Sequence, residues 1–239
     1  MILEDLKARN VTFCDPLRPQ SCEQVATRLG AMARYHAQTW DSPEFKPGGR
    51  FDWVQGRHEG WSLTYYARYL VPGVWQHYME SPRGAAVSRI LHDRDWMENA
   101  LKKLGAYHRR FPQCLVHGDT HLGNLYVETD GTPGFFDAQT SKGPWTLEVA
   151  YHLVVALDIA DRKLYEKPLL SRYLEGLKQL GIAAPSFDEA WEAYRREIAY
   201  GYFIFAINEN RFQTESINTA GAARFGAAAL DHDTVRLLS

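Results

Sequence analysis

The sequence predicts a mainly helical chain of the α+β class, with one β-hairpin set among the helices. Three observations carry that prediction. Apolar residues recur at three- and four-residue intervals over most of the chain, the spacing of a single buried helical stripe. Cys114 to Asp137 (CLVHGDTHLGNLYVETDGTPGFFD) breaks the pattern with β-branched and aromatic residues punctuated by glycine. The chain has 239 residues, 45% of them hydrophobic, enough to bury one sizeable core, so residues 1–239 are read as one domain.

The elements follow in chain order. Ser21 with Gln24 makes a capping box, heading a helix that runs to about Trp40 with Val25, Ala26, Leu29, Met32, Ala33 and Ala37 on one face. Residues 43–49 (PEFKPGG) read as a loop. Trp61 to Leu70 reads as a short helix closed by Pro72-Gly73, and Asp95 to about Arg110 as another, with Pro112 beyond its end. The middle segment reads as a short strand, a loop and a hairpin. Leu147 to Ala160, Tyr165 to Leu180 and Phe187 to Ile207 read as helices, the second closed by Gly181 and the third capped by Ser186 and Glu189. A last helix is expected over Thr219 to Leu230.

Charge and composition narrow the function. Twenty-seven basic against 29 acidic residues give a net charge of −2, with no run of like charges to hold a nucleic-acid backbone or an anionic membrane. Three cysteines without a CxxC pair point away from a disulfide framework. The start of the chain has neither a signal-peptide pattern nor a long apolar stretch, so a soluble cytoplasmic protein is expected.

The hairpin carries the chemistry. A turn on Asp130-Gly131 pairs residues whose numbers sum to 261, placing Asn124 opposite Asp137 on one face; a bulge near Pro133 would shift the register by one. An amide oxygen and a carboxylate converging there make a hard-oxygen site of the kind Mg²⁺ takes when phosphate oxygens and water complete its shell. Asp119, five residues before Asn124, enters the same end, where a carboxylate can accept the proton of an attacking hydroxyl. His117, Asp119 and His121 alternate, which keeps open a metal-dependent hydrolase with those three as ligands. His36 reads as a packed core histidine, Cys114 as a buried apolar residue, and Asp158 and Asp161 as solvent-facing helix-end residues. Trp145, Tyr151 and Tyr202 are candidates to line an acceptor pocket.

His117-Gly118-Asp119 and Asn124, with His121 and Gly123 between them, resemble the HGDxHxGN motif of the aminoglycoside phosphotransferase and choline kinase relatives, including the ecdysteroid-kinase-like group. Ala33 to Ala37 and GPWTLEVAYHL resemble the segments that flank this motif, and residues 1–7 resemble the hinge between two lobes. The resemblance implies a protein-kinase-like large (C-terminal) lobe carrying residues 114–139 as catalytic loop and metal hairpin. It implies Asp119 as catalytic base, Asn124 and Asp137 as Mg²⁺ ligands, and His117 as a structural brace of the loop. Leu3, Glu4, Asp5 and Tyr126 would contact the nucleotide. ATP would be the phosphoryl donor and a small-molecule hydroxyl the acceptor. Two departures stand out: Ala138 where relatives carry Trp, and Glu148 where they carry Asp. No Gly-rich, lysine-bearing strand region precedes residues 1–7, so the N-terminal lobe is expected to be absent. A weakly active or inactive lobe, down to a non-catalytic pseudoenzyme, is therefore the expectation for the isolated chain.

Overall fold

The computed structural model describes residues 4–239. Two small antiparallel sheets sit beside a helical body. The chain enters through a 3₁₀ turn at Leu6–Arg9 and a two-residue strand β1 (Thr12–Phe13), then forms α1 (Cys22–Gln38). The Ser21–Gln24 capping box is present, each side chain bonded to the other's backbone, and is worth about 1 kcal/mol. An irregular stretch follows, holding a 3₁₀ turn at Pro43–Phe45, and leads to α2 (Gly60–Tyr69).

Pro72-Gly73 does not simply end α2. Pro72 takes the first position of a new helix α3 (Pro72–Met79), where its missing N–H costs nothing. The short α4 (Pro82–Ala85) and then α5 (Arg94–His108) complete this half.

The middle segment is richer in strands than one hairpin. β2 (Cys114–Val116) pairs antiparallel with β5 (Ser141–Gly143), while β3 (Leu125–Val127) and β4 (Pro133–Phe135) form the hairpin and β1 joins β3 at its edge. The expected register is corrected by one residue: pairs sum to 260, as in Tyr126↔Gly134. The loop has three residues rather than two. Gly131 is left-handed (φ 87°) and donates to the Glu128 carbonyl, and the Glu128 N–H reaches the Thr132 carbonyl at 2.8 Å. Asn124 therefore faces Phe136, whose N–H donates to its carbonyl, and not Asp137.

The C-terminal half is helical: α6 (Thr146–Ala156), α7 (Ile159–Gln179), α8 (Phe187–Ile207), α9 (Glu215–Asp231) and the short α10 (Thr234–Leu237). Every residue of α6 is buried, so it is the central helix, with α1, α7, α8 and α9 packed around it. The expected helix over 147–160 is cut at Leu157. Asp158 caps α7 instead, its carboxylate accepting the Asp161 N–H at 2.8 Å; Asp158 is exposed as expected, while Asp161 is half-buried. Gly181 closes α7 with the bond pair of a Schellman motif, its N–H to Lys178 O and that of Ile182 to Leu177 O. Among the described residues no helix is long and apolar enough to cross a membrane.

Candidate active site

β2 delivers the chain into His117-Gly118-Asp119. Gly118 is left-handed (φ 81°), and a Cβ there would lie 2.5 Å from the Gln139 carbonyl, so only glycine fits. His117 donates from Nε2 to the Phe136 carbonyl (2.9 Å) and accepts the Asp119 N–H at Nδ1 (3.3 Å). One neutral tautomer thereby ties the loop to the end of the hairpin.

Beneath the loop lies the carboxylate of Glu148, fully buried at the start of α6. It accepts from Tyr35 Oη (2.5 Å), from His36 Nε2 (2.8 Å) and from the Gly118 N–H (3.3 Å). Burial pushes its pKa up, but the hydrogen bonds from His36 and Tyr35 outweigh that and hold it below the ordinary value. His36 is thus the packed, bonded core histidine expected, its Nδ1 on Tyr173 Oη at 2.8 Å.

The Asp119 carboxylate is held from several sides. Asn124 Nδ2 donates to both the carbonyl (3.0 Å) and the carboxylate (3.1 Å) of Asp119. Tyr151 Oη donates to Oδ1 at 3.3 Å, and Gln139 Nε2 stands 3.4 Å from Oδ2. Burial, and then the Asp119 charge, raise the Tyr151 hydroxyl far above its ordinary pKa, so it stays a donor. Arg57 reaches in from the irregular stretch before α2, donating to the Gly118 carbonyl (2.8 Å) and the Gln139 carbonyl (2.7 Å).

Asp137 is exposed and left-handed (φ 55°), the conformation that redirects its side chain after the one-residue register shift. Despite that shift, Asp119, Asn124 and Asp137 all line one cavity of about 770 Å³. Since the Asn124 amide nitrogen is spent on Asp119, the amide oxygen is the atom it has left to offer. With the Asp137 carboxylate it makes an all-oxygen donor set, which fits Mg²⁺.

The histidines do not make a second metal set in the loop. Both His117 nitrogens are engaged, and His121 accepts the Gly123 N–H at Nδ1 (3.0 Å) while Nε2 meets the Gln213 side-chain amide at 2.7 Å.

The other expected residues lie elsewhere. Tyr126 sits on β3 with its ring over Gly134, near the rings of Phe13 and Phe136, outside the cavity. Asp5 caps the first 3₁₀ turn through the Lys7 N–H, and Glu4 pairs with Arg9 at 3.0 Å. Leu3 lies outside the described residues. Of the aromatic candidates only Tyr151 lines the cavity; Trp145 is buried in stacking on Tyr173, and Tyr202 in donating to the Leu91 carbonyl. Cys114 is fully buried, its thiol pushed up by burial. Sequence reading missed Arg57, which acts 61 residues from Gly118 and belongs to no local pattern.

The outer wall of the cavity comes from α2 (Trp61, Tyr65, Arg68), from α8 (Tyr200, Phe205) and from the loop after it (Arg211, Phe212). Trp61 and Tyr65 stack with ring centroids 5.0 Å apart, and Trp61 and Phe212 are 64% and 60% exposed, so flat apolar surface is on offer at the mouth.

A family model described as the phosphotransferase enzyme family matches residues 4–195. The chain belongs to the phosphotransferase enzyme family. Curated proteins and solved structures give no significant match. Within this phosphotransferase the matched stretch contains the whole catalytic-loop and hairpin region. It stops inside α8, so the cavity wall built by Phe205, Arg211 and Phe212 lies beyond the part that the family describes.

Proposed function

We propose that this phosphotransferase moves the γ-phosphate of ATP to a hydroxyl group of a small molecule, in an Mg²⁺-dependent reaction. Asp119 is the proton acceptor, Asn124 and Asp137 are the metal ligands, and His117 is the brace. The observation that carries the reading is the convergence of these three oxygen-bearing side chains on one cavity, with the Asp119 carboxylate fixed by Asn124 and Tyr151. Mg²⁺ would neutralise phosphate charge when bound. The chain's own part is positional: Asp119 is held where an acceptor hydroxyl entering from the aromatic side can hand over its proton.

The cavity wall also bears on the acceptor. Its carboxylates are Asp119 and Asp137, while Arg57, Arg68 and Arg211 supply its cations. A polycationic amino-sugar would meet three guanidinium groups, of which, among the described residues, Arg211 alone is paired with a carboxylate, Glu209 at 2.9 Å. A flat neutral or anionic alcohol fits better, its body on Trp61, Tyr65 and Phe212. No lysine is among the lining residues, so nucleotide is expected to bind weakly, each missing charge-assisted contact costing about 1.5–3 kcal/mol.

The test is transfer of labelled γ-phosphate to a panel of hydroxyl acceptors, beside calorimetric titration of ADP with and without Mg²⁺. Asp119→Asn is expected to lower turnover by about 10²–10⁴-fold with ADP affinity little changed. Asp137→Ala is expected to abolish the Mg²⁺ dependence. Turnover unaffected by Asp119→Asn would overturn the assignment. Mg²⁺-dependent binding without any transfer would replace it by a non-catalytic nucleotide-binding lobe.

A further inference from the structure

Behind the catalytic loop, on the far side of Arg57, three buried side chains from three separate parts of the chain converge. His58 follows Arg57 in the irregular stretch, His108 ends α5, and Glu197 lies in the middle of α8. One ligand atom from each lies within 4.8 Å of the others. Among the described residues this is the group of histidine, cysteine or carboxylate side chains so arranged.

The polar atoms of this cluster are not satisfied by the protein. His108 Nε2 is bonded to Glu197 Oε2 at 2.7 Å, but Glu197 Oε1 and both ring nitrogens of His58 are buried with no partner. An orphaned buried donor or acceptor costs about 1–3 kcal/mol, and a cluster with three such atoms calls for a ligand. His58 packs edge-on against His108, ring centroids 4.7 Å apart, so the rings present nitrogen rather than stacking faces. A cavity of about 300 Å³, lined by His58, His108, Gly105 and Gly143 among others, provides an entry path and room for a solvent ligand.

We propose that His58, His108 and Glu197 form a site for Zn²⁺ or a similar nitrogen- and oxygen-seeking divalent transition metal, separate from the Mg²⁺ position at Asn124 and Asp137. Two imidazoles, one carboxylate and an open fourth position are a set that zinc accepts, with bonds of about 2.0–2.2 Å that need only small inward movements of the three side chains. His108 gives up the proton at Nε2 and regains one at Nδ1, so the ring stays neutral. The Glu197 charge offsets half that of the ion; at the cavity rim Glu59 is paired with Lys142 at 3.5 Å, beside Arg57 and Arg109. Burial, then His108, Arg109 and Arg57, hold the His58 pKa well below its ordinary value, which keeps the ring in its ligating form.

The consequence reaches the active site through one peptide link. A metal on His58 pins the stretch that carries Arg57, and Arg57 is the group bonded to the Gly118 and Gln139 carbonyls. The site is a staple between α5, α8 and the segment that holds the catalytic loop.

The experiment is titration of the metal-stripped 239-residue chain with Zn²⁺ alone by calorimetry, with Co²⁺ absorption as a second readout. One equivalent bound more tightly than micromolar is expected, with Co²⁺ bands of a four-coordinate site and a raised unfolding temperature. His58→Gln and Glu197→Gln, checked for fold by circular dichroism, should each weaken binding by about 100-fold or more, since loss of an outer-shell partner alone costs about 10–100-fold. His121→Gln should leave zinc uptake unchanged. Failure of the unsubstituted chain to take up zinc overturns the proposal. So does uptake that survives the His58→Gln/His108→Gln double variant, or uptake that is lost with His121→Gln.

Discussion

Glu148 brings a negative charge into the core directly under the loop that carries Asp119, and three donors converge on it. Its identity stands out already in the sequence, at a position where the family resemblance implies Asp. The structure supplies the reason it matters: the longer side chain reaches from α6 to the Gly118 N–H while still serving Tyr35 and His36. Glu148→Gln is expected to cost about 1–3 kcal/mol in urea unfolding, because a neutral amide satisfies fewer of these donors. It should also speed hydrogen exchange at the Gly118 amide beyond what the global loss of stability explains. Unchanged protection at Gly118 would mean that Glu148 stabilises the core without bracing the loop. At the same scale, Tyr151→Phe removes one donor to Asp119 and leaves the ring packing; a fall in kcat with KM for acceptor unchanged is expected. A change confined to KM would assign Tyr151 to acceptor binding alone.

Among the elements, α8 and α9 pack closely against each other, and they do so by exchange. Phe225 of α9 lies on Gly201 of α8, and Phe205 of α8 lies on Gly221 of α9; a Cβ at either glycine would fall 2.0 or 2.1 Å from a ring carbon. Gly201→Ala and Gly221→Ala are each expected to destabilise the fold by about 1–3 kcal/mol through overpacking, although alanine is the better helix former. A neutral or stabilising result in urea unfolding would show that the helices can move apart. A second anchor is Arg28 of α1, buried, with no carboxylate among its bonded partners. It donates to the Gly134 and Tyr126 carbonyls and so fixes the hairpin to the helical body. Neither pairing was legible in the sequence, because each joins positions far apart in the chain. What was legible is local. Capping boxes at Ser21 and Ser186, the Gly181 stop and the helical stripes need only neighbouring residues. β1 and β5 escaped notice because Thr12-Phe13 and Ser141-Lys142-Gly143 are short and, unlike Cys114-Leu115-Val116, carry no apolar run to mark them. The hairpin register slipped by one because Asp130-Gly131 suits a two-residue turn as well as the end of a three-residue loop. Asp137 still lines the cavity after that slip since it turns through a left-handed conformation, a change of direction that no pairing rule foresees.

On the scale of the whole molecule, the core encloses histidines that the folded state keeps neutral, and this sets how the protein responds to acid. His152, fully buried in α6 with Nδ1 on the Thr120 carbonyl at 3.0 Å, has its pKa lowered by burial to about 4. The unfolded chain takes up that proton near pH 6.5, the folded chain only near the lower value. Between the two the unfolded state binds more protons, so stability must fall as the pH drops through this window, by roughly 3 kcal/mol for His152 alone. His58 is displaced in the same direction by burial and adds to the fall. The paired carboxylates Glu148 and Glu166 have lowered pKa values, so their contribution is lost only at more acid pH, below the ordinary carboxylate range. Urea unfolding at a series of pH values is therefore expected to show stability declining from about pH 6.5, above the ordinary carboxylate range. His152→Gln keeps a donor for the Thr120 carbonyl but has no titrating ring, and should flatten the slope between about pH 6.5 and 5. If that variant keeps the full slope, the acid sensitivity belongs to His58 and His121, whose pKa values burial also lowers. Zinc should then leave the slope in place, because a metal-bound ring takes up no more protons in the folded state than the buried neutral one.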